Sequence, residues 1–298
     1  MAKISVVINT LNEEKNLPKV FKSVRNLADE VVVVDMDSED KTCEIAKKFG
    51  AKVYRHPRTN YVEPARNFAI SKVTHDWVLV LDADEEIGPK LSDLLRKFSN
   101  QKEIDYYRLP RKNIIFGKWI KNSMWWPDYN IRFFKKGCVV WKNEIHSVPD
   151  ASGKGKDIEE NEKYAIIHHN YQTIDQYLQK MLRYTSAQAN DLIKKNYNFS
   201  WKDLINKPSI EFIRRFYQSS GYKDGLHGLA LSLLQAFSEF IVYLKVWQYQ
   251  KFRQEQLSLQ ELEQVFREVK SEKNYWHADA CLREGKGLVY RIKRKFRF

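Results

Sequence analysis

The 298-residue sequence predicts an α/β fold: an open, mostly parallel sheet of Rossmann-like type, followed by a helix-dominated C-terminal region. Three observations predict it. Over the first 85 residues, short apolar runs alternate with segments of helical period. The runs are apolar throughout rather than at every second residue, as in strands covered on both faces. Polar clusters, Asn9–Glu14, Asp35–Asp40 and Asp82–Glu86, follow directly on the ends of three of them.

Ile4–Ile8 reads as the first strand, and Leu17, Val20, Phe21, Val24 and Leu27 recur at helical spacing to give the first helix. Val31–Val34 is a β-branched run ending in Asp35, and Thr42–Phe49 is a short helical stretch closed by Gly50. Ala51–Tyr54 supplies a third strand, Ala65–Val73 a third helix, and Trp77–Leu81 a fourth strand that stops at Asp82. From about 104 to 150 the chain is rich in aromatics and short β-like runs: Tyr106–Leu109, Asn130–Phe134 and Cys138–Trp141. Ser152–Glu162 reads as an exposed loop, and after Thr173 the pattern turns helical. The expected division is therefore 1–172 and 173–298.

Composition narrows the class. With 43 % hydrophobic residues, 11 Gly and 8 Pro, the chain is neither disordered nor collagenous. Cys43, Cys138 and Cys281 are scattered, which excludes a disulfide framework and a zinc spacing and points to a reduced cytosolic setting. The N-terminus enters a strand pattern directly, without the pattern of a signal peptide. No run reaches 18 charge-free apolar residues, so no conventional membrane-spanning helix is expected. Residues 1–100 hold 16 basic and 16 acidic side chains, so the net charge of +13 comes entirely from 101–298. A basic C-terminal part is compatible with an anionic membrane surface or with nucleic acid.

The sharpest local feature is Leu79-Val-Leu-Asp82-Ala-Asp84-Glu85-Glu86. Two carboxylates two residues apart at a strand end can offer hard oxygen ligands to one divalent cation, Mg²⁺ or Mn²⁺, that bridges diphosphate oxygens. The bland alternative is a solvated acidic turn, and the position after a buried strand favours the cation. Asp35 also ends a strand; it could accept from a ribose hydroxyl or a base N–H, or cap the next helix, as Ser38 and Asp40 could.

Four motifs in order carry a resemblance: ISVVINTLNEEKNL, VVVVDMDSEDKT, ARNFA and DWVLVLDADE. Together they resemble glycosyltransferase family 2, nucleotide-sugar enzymes of the GT-A fold. FGKWIKNSMWWPDYNIRFFKKG, followed by IHS and IIHHNY, resembles the bacterial lipopolysaccharide-core β-glycosyltransferase branch. The resemblance implies a donor half, 1–100, and an acceptor half, 101–172. It implies that Thr10, Glu13 and Asp35 hold the nucleoside, that Arg66 approaches base or diphosphate, and that Asp82 touches ribose or metal. Asp84 would be the main metal ligand, and His168 would reach metal or diphosphate. Asp128 matches the position of the catalytic base, with Glu144 second. Asp37 stands where the family's D-x-G-S-x-D run has glycine.

The activity implied is an inverting transfer of a hexose from a nucleotide sugar, a UDP-sugar by resemblance, to a hydroxyl of a lipid-linked or envelope glycan. A metal and Arg66 would offset the charge on the leaving diphosphate, and one carboxylate would take the hydroxyl proton. The bland readings are an Asp128–Arg132 salt bridge or a turn after Pro127, ordinary strand-end histidines at 168 and 169, and core packing for Trp119, Trp125 and Trp126, which could otherwise stack on a sugar.

Along 226–247, His227, Ser232, Gln235, Ser238, Glu239 and Lys245 fall in one arc of about 140° on a helical wheel, and apolar residues fill the rest. That pattern suits a helix in a membrane interface, or one buried between helices. The enzyme is expected to be cytoplasmic and peripheral on the inner face of the cytoplasmic membrane, with RIKRKFRF as a further lipid contact or a solvated end. Three alternatives fit the sequence less well. A nucleotidyltransferase lacks its Gly-rich phosphate loop here, a nucleic-acid-binding protein is opposed by acidic strand ends, and a catalytically dead glycan-binding relative is opposed by an intact Asp82, Asp84 and Asp128.

Overall fold

The computed structural model of the chain describes residues 2–59, 62–142 and 149–297. They form two compact units. One comprises residues up to 114 and 126–170, the other 115–125 and 171–297. The sequence predicts one boundary at 172; in the structure residues 115–125 leave the first unit, because Ile115 and Ile120 pack with Tyr171, Tyr177 and Leu231.

The first unit is built on β1 (Ile4–Thr10), α1 (Leu17–Val24), β2 (Glu30–Asp35), α2 (Thr42–Lys48), β3 (Lys52–Arg55), α3 (Glu63–Ser71) and β4 (Trp77–Asp82). It continues through β5 (Glu85–Ile87), α4 (Pro89–Phe98), β6 (Tyr106–Leu109) and β7 (Arg111–Ile115). The short β8 (Lys118–Trp119) lies in the second unit, and the first unit resumes with β9 (Asn130–Lys135), β10 (Val139–Val140), β11 (Asp150–Ala151), β12 (Gly155–Asp157) and β13 (Ile166–Tyr171).

The main sheet has the order β12-β6-β9-β4-β1-β2-β3. β4, β1, β2 and β3 are mutually parallel, while β9 runs antiparallel to both β4 and β6. All seven residues of β1 are buried, as expected of a central strand between two helical layers. One face packs Val6, Ile8, Val33, Leu79 and Leu81 against α1 and α4; the other packs Val7, Val34, Val78 and Val80 against Ala65 and Ala69 of α3. β12 corrects the loop expected at 152–162. Three exposed residues add parallel to β6 as a short edge strand, a pairing made by backbone groups that side-chain polarity does not reveal. β5 and β13 pair antiparallel, setting His168 opposite Glu85.

The second unit is helical: α5 (Ile174–Lys194), α6 (Asp203–Ile213), α7 (Leu226–Tyr249), α8 (Leu259–Arg283) and α9 (Val289–Phe296). α7 starts at a close approach that only glycine permits. A Cβ at Gly228 would lie 1.8 Å from the Gly221 carbonyl oxygen.

Candidate active site

The parallel strands end side by side, which fixes where their terminal polar residues stand. Register sets Thr10 beside Asp35 and Asn9 beside Asp82. The Thr10 hydroxyl donates to Asp35 Oδ1 at 3.1 Å, and Ser38 donates its backbone N–H and its hydroxyl to the two Asp35 oxygens at 2.9 and 2.6 Å. Glu13 joins this corner: its N–H donates to Thr42 Oγ1 at 2.8 Å, and its carboxylate accepts from Asn16 at 2.8 Å. The start of α2 is satisfied by Asp40, which accepts the Thr42 N–H at 2.9 Å, so Asp35 is left to organise the loop after β2. Asp37 has φ +59°, the left-handed conformation for which the family's glycine is suited.

Asp82, two residues beyond Val80, projects from the α3 face, where Arg66 pairs with its Oδ1. Arg132 of β9 donates to Asp82 Oδ2 at 2.6 Å and to Glu85 Oε1 at 3.0 Å. Glu85, with no solvent exposure, also accepts the Asp82 N–H at 2.9 Å and an Arg111 N–H at 3.4 Å. Arg111 then reaches Asp128 Oδ2 at 2.8 Å, joined there by the Asn113 amide at 2.9 Å. Asn113 Oδ1 lies 2.7 Å from His168 Nδ1, and His168 Nε2 lies 3.6 Å from Asp84 Oδ2. A continuous polar chain therefore runs from Arg66 through Asp82, Arg132, Glu85, Arg111, Asp128 and Asn113 to His168, with Asp84 close beyond it. Burial would raise the Asp82 pKa, but the Arg132 and Arg66 guanidiniums outweigh it and hold the carboxyl well below its ordinary value.

The site so assembled contains Arg66, Asp82, Asp84, Asp128 and His168 of the residues singled out from sequence. Thr10 ends β1, the neighbour of β4, with Glu13 in the loop after it, and Asp35 ends β2, one strand further on, all at the same sheet end. Glu144 lies outside the described residues, as do His146 and Ser147. The salt-bridge partner of Asp128 is Arg111, while Arg132 is engaged by Asp82 and Glu85. His168 is buried, and its neighbour His169 pairs with Glu86 at 2.8 Å. Trp125 belongs to the second unit, where it packs edge-on to Tyr171 and under the Arg215 guanidinium. Glu85, Arg111, Asn113 and Arg132 were missed. The available signal was a charged residue inside the apolar run Asn130–Phe134.

Asp128 has φ +41°, a conformation costly for a non-glycine residue, and three side chains hold it there: Arg111, Asn113 and Asn130. Its Oδ2 takes Arg111 and Asn113, whereas Oδ1 has the longer contact, 3.3 Å to Asn130. Arg66 Nε, Arg132 Nε and Nη1, and both amide atoms of Asn9 are buried without a hydrogen-bond partner. Such an excess of buried donors suits an anionic ligand.

The resemblance implies a divalent cation, and the donor set decides how it would be held. Both Asp82 oxygens are engaged by guanidiniums, so the carboxylate and imidazole of Asp84 and His168 are the groups suited to a metal. Among the described residues, no group of three or more His, Cys, Asp and Glu side chains could hold an ion. The fit is to a cation bound by one or two protein ligands plus substrate phosphates, not to an all-protein cage.

A family model described as "Glycosyl transferase family 2" matches residues 5–155. An uncharacterized glycosyltransferase of Rickettsia typhi is 33 % identical over 255 residues, covering 83 % of this chain and 87 % of the relative. The lipopolysaccharide core biosynthesis glycosyltransferase LpsC of Rhizobium meliloti is 23 % identical, with 82 % and 92 % covered. Among solved structures, S. aureus TarS 1-349 in complex with UDP is similar at 17 % identity and TM-score 0.45, covering 86 % of this chain and 94 % of that one. Glucosyl-3-phosphoglycerate synthase from Mycobacterium tuberculosis, in complex with Mn²⁺, UDP and glucosyl-3-phosphoglycerate, is 25 % identical at TM-score 0.31. That match covers 39 % of this chain and 45 % of that chain.

Proposed function

The chain belongs to glycosyltransferase family 2, and from that premise we propose a metal-assisted, inverting transfer of a hexose from a UDP-sugar to a hydroxyl of a lipid-linked or envelope glycan. The observation that carries the reading is the polar chain from Arg66 to His168, with Asp128 in its middle and Asp84 3.6 Å beyond its end. It ties donor-side cations to a half-exposed carboxylate suited to an acceptor.

In this reading Thr10, Glu13 and Asp35 bind the nucleoside. Arg66 and Arg132, whose unpartnered N–H groups are already desolvated, orient the diphosphate and balance the charge that grows on it. Asp84 and His168 would hold Mg²⁺ or Mn²⁺, which when bound supplies further neutralisation of the leaving group. Asp128 is the base. Arg111 and Asn113 fix Oδ2, and the looser Oδ1 accepts the acceptor's proton as the hydroxyl oxygen attacks the anomeric carbon and the nucleotide diphosphate departs. Arg111 and Glu85 position that base relative to the donor-side arginines.

Thermal shift of the full chain with UDP, GDP and CMP, with and without Mn²⁺, tests the donor side. Saturating UDP, at about 100 times Kd, would add about 2.7 kcal/mol to native-state stability. Asp84→Asn should erase the Mn²⁺-dependent part of the UDP shift. Asp128→Asn should keep the UDP shift and abolish UDP release from UDP-glucose. Loss of UDP binding in Asp128→Asn would reverse the assignment of base and donor roles.

A further inference from the structure

Helix α7 has its polarity turned inside out. Ser232 is fully buried and donates to the Gly228 carbonyl at 2.7 Å; Gln235 donates to the Tyr177 hydroxyl of α5 at 2.7 Å. Lys245 reaches the Leu182 carbonyl, Thr185 and Ser186 of the same helix, each at 2.8 Å. Ser232, Gln235 and Lys245 of the polar stripe read from sequence thus face the protein. The outward side is an apolar ridge at helical spacing: Leu226 (79 % exposed), Leu233 (52 %) and Phe237 (46 %), with Leu229, Phe240 and Leu244 half-buried between and beyond them. A helix facing water carries the reverse pattern.

Helix α9 repeats the arrangement. Tyr290 packs on His277, and Arg294 pairs with Asp279 at 2.8 Å, which fixes one side against α8. The other side leaves Leu288, Val289, Ile292 and Phe296 exposed, at 70, 62, 53 and 62 %. From Lys286 to Arg297 there are six basic residues and no carboxylate, and Arg291, Lys293 and Lys295 flank the apolar stripe.

We propose that these two helices bind the helical unit to a bilayer rich in anionic lipid, with the α7 ridge and the α9 stripe entering the headgroup–acyl boundary and the α9 cations meeting lipid phosphates. Charge decides the occupant. An apolar stripe bordered only by cations matches an anionic bilayer, whereas a second copy of this chain would bring the same cations against it. α7 is long and apolar enough to cross a membrane, but Gln235 and Lys245 are tied to α5, so lying in the interface suits its two faces better than crossing. Such binding does not depend on donor or acceptor chemistry and makes the protein peripheral.

Flotation of the full chain with vesicles tests it. The protein should float with phosphatidylcholine–phosphatidylglycerol vesicles, less so in high salt, and remain in solution with phosphatidylcholine alone. Leu233→Asp with Phe237→Asp should abolish flotation. Arg291→Glu with Lys295→Glu should lower the partition coefficient by tenfold or more, on about 1 kcal/mol per basic residue near the surface. Unchanged thermal melting of both variants would show that they fold. Wild-type protein that ignores anionic vesicles would overturn the proposal. So would a dimer in light scattering that the Leu233/Phe237 variant splits, since a second copy would then cover the ridge. UDP binding, read separately by thermal shift, keeps failure here distinct from failure of the transferase reading.

Discussion

At the end of β4, the buried Arg132 lies 3.0 Å from the fully buried Glu85 and the buried Arg66 pairs with Asp82, whereas along α7 the hydroxyl of Ser232, the amide of Gln235 and the ammonium of Lys245 are each satisfied inside the helical unit. The two regions use buried polarity differently. Charges taken from water are repaid only when the geometry satisfies them, and the strand-end cluster keeps Arg66 Nε and two Arg132 nitrogens unsatisfied. That arrangement is poor for stability alone and suited to a ligand that brings negative charge. Ser232, Gln235 and Lys245 are satisfied without a ligand. They orient the helix, and in doing so they leave its apolar side outward.

Arg132→Met breaks the comparison most sharply. It leaves Asp82 with Arg66 and Glu85 with the longer Arg111 contact, both in a buried setting. Urea unfolding should show a loss of about 3–5 kcal/mol, the usual result of removing one partner of a buried ion pair. UDP release from UDP-glucose should fall by about a hundredfold, because the mutation also disturbs the geometry around Asp128. Stability equal to wild type, with activity lost, would mean that the arginine serves the ligand alone. Full activity would remove it from the site.

The legible parts of the molecule were those set by period and by strand ends. β-branched runs such as Val31–Val34 gave the sheet, and their terminal carboxylates gave Asp35, Asp82 and Asp84. Asp128 came from the motif resemblance, and its backbone conformation was invisible in sequence. Arg111, Asn113 and Arg132 come from strands added after the first 100 residues, and only the antiparallel insertion of β9 beside β4 brings Arg132 to Asp82. The polar stripe of 226–247 was read correctly as a stripe. Its direction was not legible, because a helical wheel does not say which side a neighbouring helix covers.

Glu30 tests a buried charge with no ligand to serve, at the opposite end of β2 from the site. Burial would raise its pKa, but hydrogen bonds from Lys52, Ser5 and Thr74 prevail and bring it to about 2 from 4.5. A depressed carboxyl contributes stability that is fully present above the unfolded value and is lost as pH falls through the folded one. The window here runs from about pH 4.5 down to about 2. Glu30→Gln should therefore lose up to about 3 kcal/mol at pH 7, and the gap from wild type should close as urea titrations move below pH 4.5. UDP binding should not change. A gap independent of pH would assign the loss to packing rather than charge.

Lys245 is the smallest lever and bears on the other half of the comparison. Burial pushes its ammonium below the ordinary lysine value, so the unfolded chain holds that proton more tightly and the group makes native stability rise with pH in the alkaline range. Its three acceptors do not depend on it: Thr185 and Ser186 also donate to the Leu182 carbonyl, at 3.2 and 3.0 Å. Lys245→Met keeps an unbranched stem between α5 and α7 and strands no buried group, so unfolding free energy should change by about 1 kcal/mol or less. The alkaline rise should flatten, and flotation with anionic vesicles should persist, because the residue faces inward. A loss of several kcal/mol would show that α7 depends on charge in the way the strand-end cluster does, and the contrast between the two regions would then be one of degree.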